Sequence, residues 1–300
     1  MKLLTTEKLP NGTPLDALQP HEAAKVMVEA QLDALPCVAA VVHQLDDAAR
    51  IMAASIRSGR SLVYAAAGSS GLMALADACE LPGTFGISPD AVRIFMAGGV
   101  PADGRMSGDV EDDTQAAQDV VGNVASGDTV IVLSASGTTP HTVAVAQGVK
   151  AKGASVIGLA NNPNTALLDL ADVAICLATP PEMIAGSTRL GAATAQKAAL
   201  NIMSTLMGID LGHVHRGMMV NVVADNAKLV ERAAAIVSRI AGVSVGDAKV
   251  AIRDASGNTK AAALIAMGCT FSQAKDALAS HDGHLDRCFK SLELDPNANI

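Results

Sequence analysis

The sequence predicts an α/β protein, a parallel sheet flanked by helices, followed by a small helical domain. Three observations carry this. Between about residues 60 and 180, short apolar runs alternate with helical stretches across Gly/Ser-rich turns. The apolar runs lack polar alternation, as strands buried on both faces do. From about residue 242 the text changes to short helices with turns. Half of the 300 residues are hydrophobic but only 2% are aromatic, with no Trp and one Tyr, so the core must be built from Ala, Val, Leu, Ile and Met.

Residues 1–20 hold three prolines and no clear period, and read as an extended arm. Residues 21–58 carry helical spacing, with Pro36 separating two helices. Five strands follow: "SLVYAAA" (61–67), "AVRIFMAG" (91–98), "TVIVLSA" (129–135), "ASVIGLA" (154–160) and "DVAICLA" (172–178). Between them lie helices starting at "SSGLMALADACE" (69–80), "EDDTQAAQDVVGNV" (111–124), whose acidic first turn suits a helix start, and "TVAVAQGVKAKG" (142–153). Residues 187–208 form a long Ala-rich helix capped by Ser187 or Thr188, and 213–240 continue as helix. The three short helices beyond 242 are each unstable alone and suit a bundle. The expected domains are therefore 1–240 and 241–300.

The formal net charge of −8 argues against nucleic acid as a partner, because a phosphate backbone needs clustered Lys and Arg. The five cysteines form no CxxC pair, so neither a disulfide framework nor a zinc site is expected, and buried free thiols are. "MKLLTTEKLP" lacks a signal-peptide core, and no apolar run approaches the ~18 residues of a membrane span. The expectation is a soluble, cytoplasmic protein with no membrane partner.

Two loops stand out. "AAAGSSG" (65–71) and "LSASGTTP" (133–140) each run from a strand through Gly and hydroxyl residues into a helix. There backbone N–H groups and hydroxyls meet at a helix N-terminus, a favoured phosphate position that needs no lysine. Neither loop has the spacing of a dinucleotide fingerprint or a Walker loop. A lone Ser-rich turn is more often a simple cap; two in one sheet point to a ligand. In such sheets the ligand sits at the carboxyl ends of the strands, at the switch point. Nearby, Glu80 ends the first of these helices and Glu111 opens "EDDT". From composition alone, Glu111 reads more readily as an N-terminal helix charge, and Glu80 as a solvated helix end, than either does as an acid–base group.

"GSSG" followed by "SASGTT" resembles the sugar isomerase (SIS) domain, a flavodoxin-like phosphosugar-binding fold. The ordered series "DACELPGTFG", "AGG", "EDDTQAA", "SASGTTP", "NNPNT", "PEMIAGSTR", "ATAQKAALNIMST" and "MMVNVVADNAKLVERA" resembles the N-acetylmuramic acid 6-phosphate etherase family of SIS lyases, from about residue 6 to the end. The resemblance implies that Ser69, Ser70, Ser134, Ser136, Thr138 and Thr139 hold a phosphosugar, with Arg189 as a further substrate contact. It implies that Glu111 takes the proton at C2 of the ring-opened sugar and that Glu80, as acid, assists departure of D-lactate from C3, after which water adds. It also implies no cofactor and no metal, a homodimer with the active site near the subunit interface, a ubiquitin-associated-like C-terminal domain, and a place in amino-sugar catabolism and cell-wall recycling.

The chain departs from the family pattern in charge. Leu72 and Thr138 stand where the family has Arg, His141 where it has Tyr, and Leu190-Gly191 where it has Met-Lys; Arg189 and Lys197 remain. His141 either restores part of the missing charge or is a neutral loop histidine. "GHVHRG" (212–217) lacks a third ligand and is not read as a metal pair, and Cys79 is read as an apolar helix thiol. Two other readings share the fold: an aldose–ketose phosphosugar isomerase, which needs no leaving group, and a non-catalytic phosphosugar sensor.

Overall fold

The five apolar runs form one parallel sheet. In the computed structural model, which describes residues 3–108, 110–222 and 227–295, the chain divides into two compact units, Met1–Cys79 with Pro89–Leu206 and Glu80–Ser88 with Met207–Ile300. The elements begin with helices α1 (Pro20–Asp33), α2 (Pro36–Ala39) and α3 (Val42–Arg57). The α/β run follows: β1 (Leu62–Ala66), α4 (Gly68–Phe85), β2 (Val92–Met96), α5 (Ala117–Gly122), β3 (Thr129–Ser134), α6 (Pro140–Ala151), β4 (Ser155–Ala160), α7 (Ala166–Leu170) and β5 (Val173–Cys176). Helix α8 (Gly191–Asp210) leads into the hairpin β6 (Val214–His215) and β7 (Met218–Met219), and then α9 (Ala227–Ala241), α10 (Val245–Asp254), α11 (Thr259–Ala266), α12 (Phe271–Ser280) and α13 (Leu285–Ser291).

The sheet order is β2-β1-β3-β4-β5, every pair parallel, with Ala66 level with Leu133 across the β1–β3 pair. β1 and β3 are buried at every residue, which is why they read as unbroken apolar runs. The order reverses between β1 and β3. The loops that leave these two strands therefore diverge and open a crevice at their carboxyl ends.

A buried polar knot holds α4 in place. Tyr64 on β1 donates its hydroxyl proton to Asp77 Oδ2 at 2.8 Å, while Asn201 and Ser204 on α8 donate to Asp77 Oδ1 at 2.7 and 2.9 Å. Burial, then the Asp77 charge, pushes the Tyr64 phenol well above its usual range, so it stays a donor. At the other end of the sheet the buried Asp128 carboxylate accepts from the backbone N–H of Ser61 and Ala125 and from Arg93. Burial alone would raise its pKa, but these bonds outweigh it and hold the carboxyl below the usual range.

Several expectations change. Residues 111–116 are turns, and α5 starts only at Ala117, because Asp113 spends its carboxylate on the Ala116 N–H at 2.9 Å. Helix α8 is capped by neither Ser187 nor Thr188. The buried Glu182 carboxylate takes the first two N–H groups, of Gly191 and Ala192, at 2.9 Å each. The helix expected over 213–240 is interrupted by the β6–β7 hairpin, whose turn places Arg216 and Gly217 at positive φ, 47° and 75°, as a two-residue hairpin turn requires. The second unit takes in Glu80–Ser88 as well as Met207–Ile300, more than the expected 241–300, and its core joins α9 to α10–α13 through Val237, Ile240, Ile252, Leu264, Ala274 and Phe289. His215 is buried in that unit, edge-on to Phe289 at 5.7 Å and facing Asp286. All five cysteines are free thiols; Cys288 is buried but Cys79 is exposed, so the expectation of buried thiols fails there. No single helix among the described residues is long and apolar enough to cross a membrane.

Candidate active site

Both hydroxyl loops reach the crevice. β3 ends at Ser134, and the chain turns through Gly137 into α6, with Pro140 at its first position and Thr139 before it. In this turn Ser134 Oγ lies 2.8 Å from Thr139 Oγ1 and 3.2 Å from Ser136 Oγ, and Ser136 Oγ lies 3.3 Å from Thr139 Oγ1. The three hydroxyls close a triangle, and their protons can rotate from one another toward an anion. The Gly137 N–H donates to Ser134 Oγ at 3.0 Å and fixes the turn.

Gly137 has φ +72°, and a Cβ there would meet Thr165 Oγ1 at 2.3 Å and Thr165 Cβ at 2.6 Å. Thr165 is buried and β-branched, so it has little room to retreat. Gly137→Ala is therefore expected to cost about 2 kcal/mol of stability by overpacking and positive-φ strain. It should also weaken inorganic phosphate binding at least about tenfold, read by denaturant unfolding and calorimetric titration. Unchanged phosphate affinity would show that this turn does not shape the cradle.

The first loop leaves β1 at Ala66 and enters α4 at Gly68, which has φ +55°. Ser69 and Ser70 occupy the first turn, where N–H groups lack intrahelical partners and the helix dipole favours an anion. A Cβ on Gly68 would lie 2.6 Å from Glu111 Oε1, so the Glu111 carboxylate sits against the first residue of α4. The Glu111 turn is tied to α6: its carbonyl accepts from the His141 N–H at 3.0 Å, and His141 Nδ1 lies 2.9 Å from the Asp113 carbonyl oxygen. Nδ1 must therefore carry the proton. His141 is buried with Nε2 unpartnered among the described residues. It supports the Glu111 turn and is not among the residues lining the site's cavity.

A cavity of about 200 Å³ joins these parts, lined by Ser69, Ser70, Glu111, Ser134, Ser136 and Thr139, with Ala67, Ala135, Glu7, Gly186 and Thr188. Among the described residues lining it there is no Lys or Arg. Thr138 and Arg189 are exposed and do not line it. Glu80 is also exposed, ten residues beyond Ser70 on α4 and so about 15 Å along the helix axis; it is not among the lining residues.

A protein of Deinococcus radiodurans named N-acetylmuramic acid 6-phosphate etherase is 37% identical to this chain over 283 residues, 93% of each. The chain belongs to the N-acetylmuramic acid 6-phosphate etherase family. A Shouchella clausii relative of the same name is 35% identical over 287 residues, 95% of this chain and 97% of its own. The SIS domain family matches residues 104–205. Among solved structures, a Bacteroides fragilis protein described as a candidate phosphosugar isomerase involved in capsule formation shares the fold with a TM-score of 0.51 at 20% identity, over 66% of this chain and 92% of its own.

Within this etherase-family chain, the crevice gathers the serines and Glu111 expected from the sequence and adds three residues that were not. Thr188 faces the cavity because Glu182, nine residues before Gly191, has taken over the cap of α8. Gly186 and Glu7 meet there because the N-terminal arm folds back onto the sheet, with the Gly186 N–H donating to the Thr6 carbonyl at 2.9 Å. The arm contact joins residues 180 positions apart, and the capping exchange reaches back nine residues to a side chain outside the helix; no local pattern announces either.

Proposed function

We propose that the protein cleaves the D-lactyl ether of N-acetylmuramic acid 6-phosphate, consuming water and yielding N-acetylglucosamine 6-phosphate and D-lactate. The observation that carries this reading is a carboxylate, Glu111, lining the same cavity as the hydroxyl cradle. The hydroxyls of Ser69, Ser70, Ser134, Ser136 and Thr139, with the first-turn N–H groups of α4, hold the 6-phosphoryl group. Glu111 then takes the C2 proton of the ring-opened sugar, made acidic by the adjacent C1 aldehyde. The electron pair forms the C2–C3 double bond as the C3–O bond to lactate breaks. Water adds at C3 and a proton returns to C2.

The lactyl oxygen is a poor leaving group and needs a proton, which Glu80 supplies. Glu80 does not line its own chain's cavity, and in this reading the active unit is a homodimer in which each protomer lends Glu80 to its partner. Arg189 and Thr138, exposed near the loops, contact the outer part of the substrate. The scheme requires no cofactor, and we place the enzyme in the cytoplasm.

A second reading rests on the lack of Lys or Arg among the described lining residues. A lactyl carboxylate is costly to desolvate without a cation, so a 6-phosphosugar without that group, turned over by aldose–ketose isomerisation, fits the charge. Incubating the wild-type protein separately with N-acetylmuramic acid 6-phosphate and glucosamine 6-phosphate separates the two. The etherase releases D-lactate from the first and leaves the second unchanged; turnover of the second alone selects the isomerase.

A further inference from the structure

The N-terminal arm has no place in the chemistry above, yet it is built into the site. Thr5–Glu7 forms one tight helical turn. The Thr5 N–H donates to Asn162 Oδ1 at 2.7 Å, and Asn162 Nδ2 donates to Thr6 Oγ1 at 3.1 Å and to the Ala135 carbonyl at 2.9 Å. Thr6 and Asn162 are each 1% exposed. The arm is therefore fastened to the turn after β4 and, through Asn162, to the cradle loop itself, since Ala135 lies between Ser134 and Ser136. The fastening delivers Glu7 to the cavity, with its Oε2 only 3.1 Å from where a Cβ on Gly186 would stand. Among the described residues, the Glu7 carboxylate has no hydrogen bond or ion pair.

We infer that Glu7 is a substrate-contacting residue whose carboxylate accepts hydrogen bonds from the hydroxyl or amide N–H groups of the hexose, and so selects the sugar rather than the phosphate. The chemistry leaves little choice. An ionised carboxylate only accepts, and so does a phosphate dianion; side by side they repel with no proton to share. Glu7 is exposed at a cavity whose described lining offers no cation, and beside a bound phosphosugar its carboxylate is best placed against the donor groups of the sugar. The inference rests on the phosphosugar reading of this cavity, and assigns the sugar end to the arm.

The test uses the full-length protein and the variants Glu7→Gln and Glu7→Ala, titrated calorimetrically with inorganic phosphate, N-acetylglucosamine 6-phosphate and glucosamine 6-phosphate. The expected result is a loss of about ten- to a hundredfold in affinity for a hexose phosphate in Glu7→Ala, the span of one or two charge-assisted hydrogen bonds. Phosphate affinity stays level or rises, because a repelling charge has gone. Glu7→Gln, whose amide oxygen still accepts, should fall between, and thermal unfolding should stay near wild type. Parallel losses for phosphate and sugar phosphates would mark Glu7 as merely structural, and no loss for either would remove it from the site; both overturn the inference. Lactate release by the wild type is read beside these titrations. Release with undisturbed Glu7→Ala binding removes Glu7 and keeps the etherase. No release with a selective loss for glucosamine 6-phosphate removes the etherase and keeps Glu7.

Discussion

Glu111→Gln should lose both exchange of the C2 proton with solvent and lactate release, each by about 10²- to 10⁴-fold, the usual contribution of a positioned base. Stability should barely change, since among the described residues the Glu111 side chain makes no hydrogen bond or ion pair, and its turn is held by backbone and by His141. The pair of readouts matters. A residue that only helped bind the phosphate would raise KM and leave the exchange rate at saturation intact. Retained exchange in Glu111→Gln would take the base role away from it.

Glu80→Gln should stop lactate release by a similar factor while C2 exchange continues, because the carbanion still forms but the ether oxygen leaves unprotonated. The homodimer reading adds a sharper consequence. Glu80→Gln and Glu111→Gln are both inactive alone. After mixing, unfolding and refolding, half of the dimers pair one of each, and in these one of the two sites receives a sound Glu111 and a sound Glu80 from opposite protomers. About a quarter of wild-type activity should return. No return would mean that Glu80 serves its own chain or serves no site.

The sheet was legible because the central strands β1, β3 and β4 are apolar runs buried along almost their whole length, and the half-buried edge strand β2 carries a single charged residue, Arg93. All five appear within two residues of the ends expected. The cradle was legible for a related reason: Gly137 and the hydroxyls around it are poor core and good turn. Glu111 was found, but its setting was not. The acidic run looked like a helix start, whereas Asp113 closes a turn and leaves Glu111 beside Gly68, 43 residues earlier. The β6–β7 hairpin was hidden by the helical text on either side, although Arg216-Gly217 carries the turn signal. Glu7 and Thr188 could not be read at all. One depends on the bond between Thr5 and Asn162, 157 residues apart, which sequence alone does not pair; the other depends on Glu182 taking the cap that Ser187 and Thr188 were expected to supply.

The measurement that meets the central claim most directly is the isotope content of the product formed by the wild-type protein from N-acetylmuramic acid 6-phosphate in heavy water. If the cradle holds the phosphate so that C2 faces Glu111, the N-acetylglucosamine 6-phosphate formed alongside D-lactate carries one deuterium at C2. Lactate released with the original hydrogen still at C2 would contradict the account.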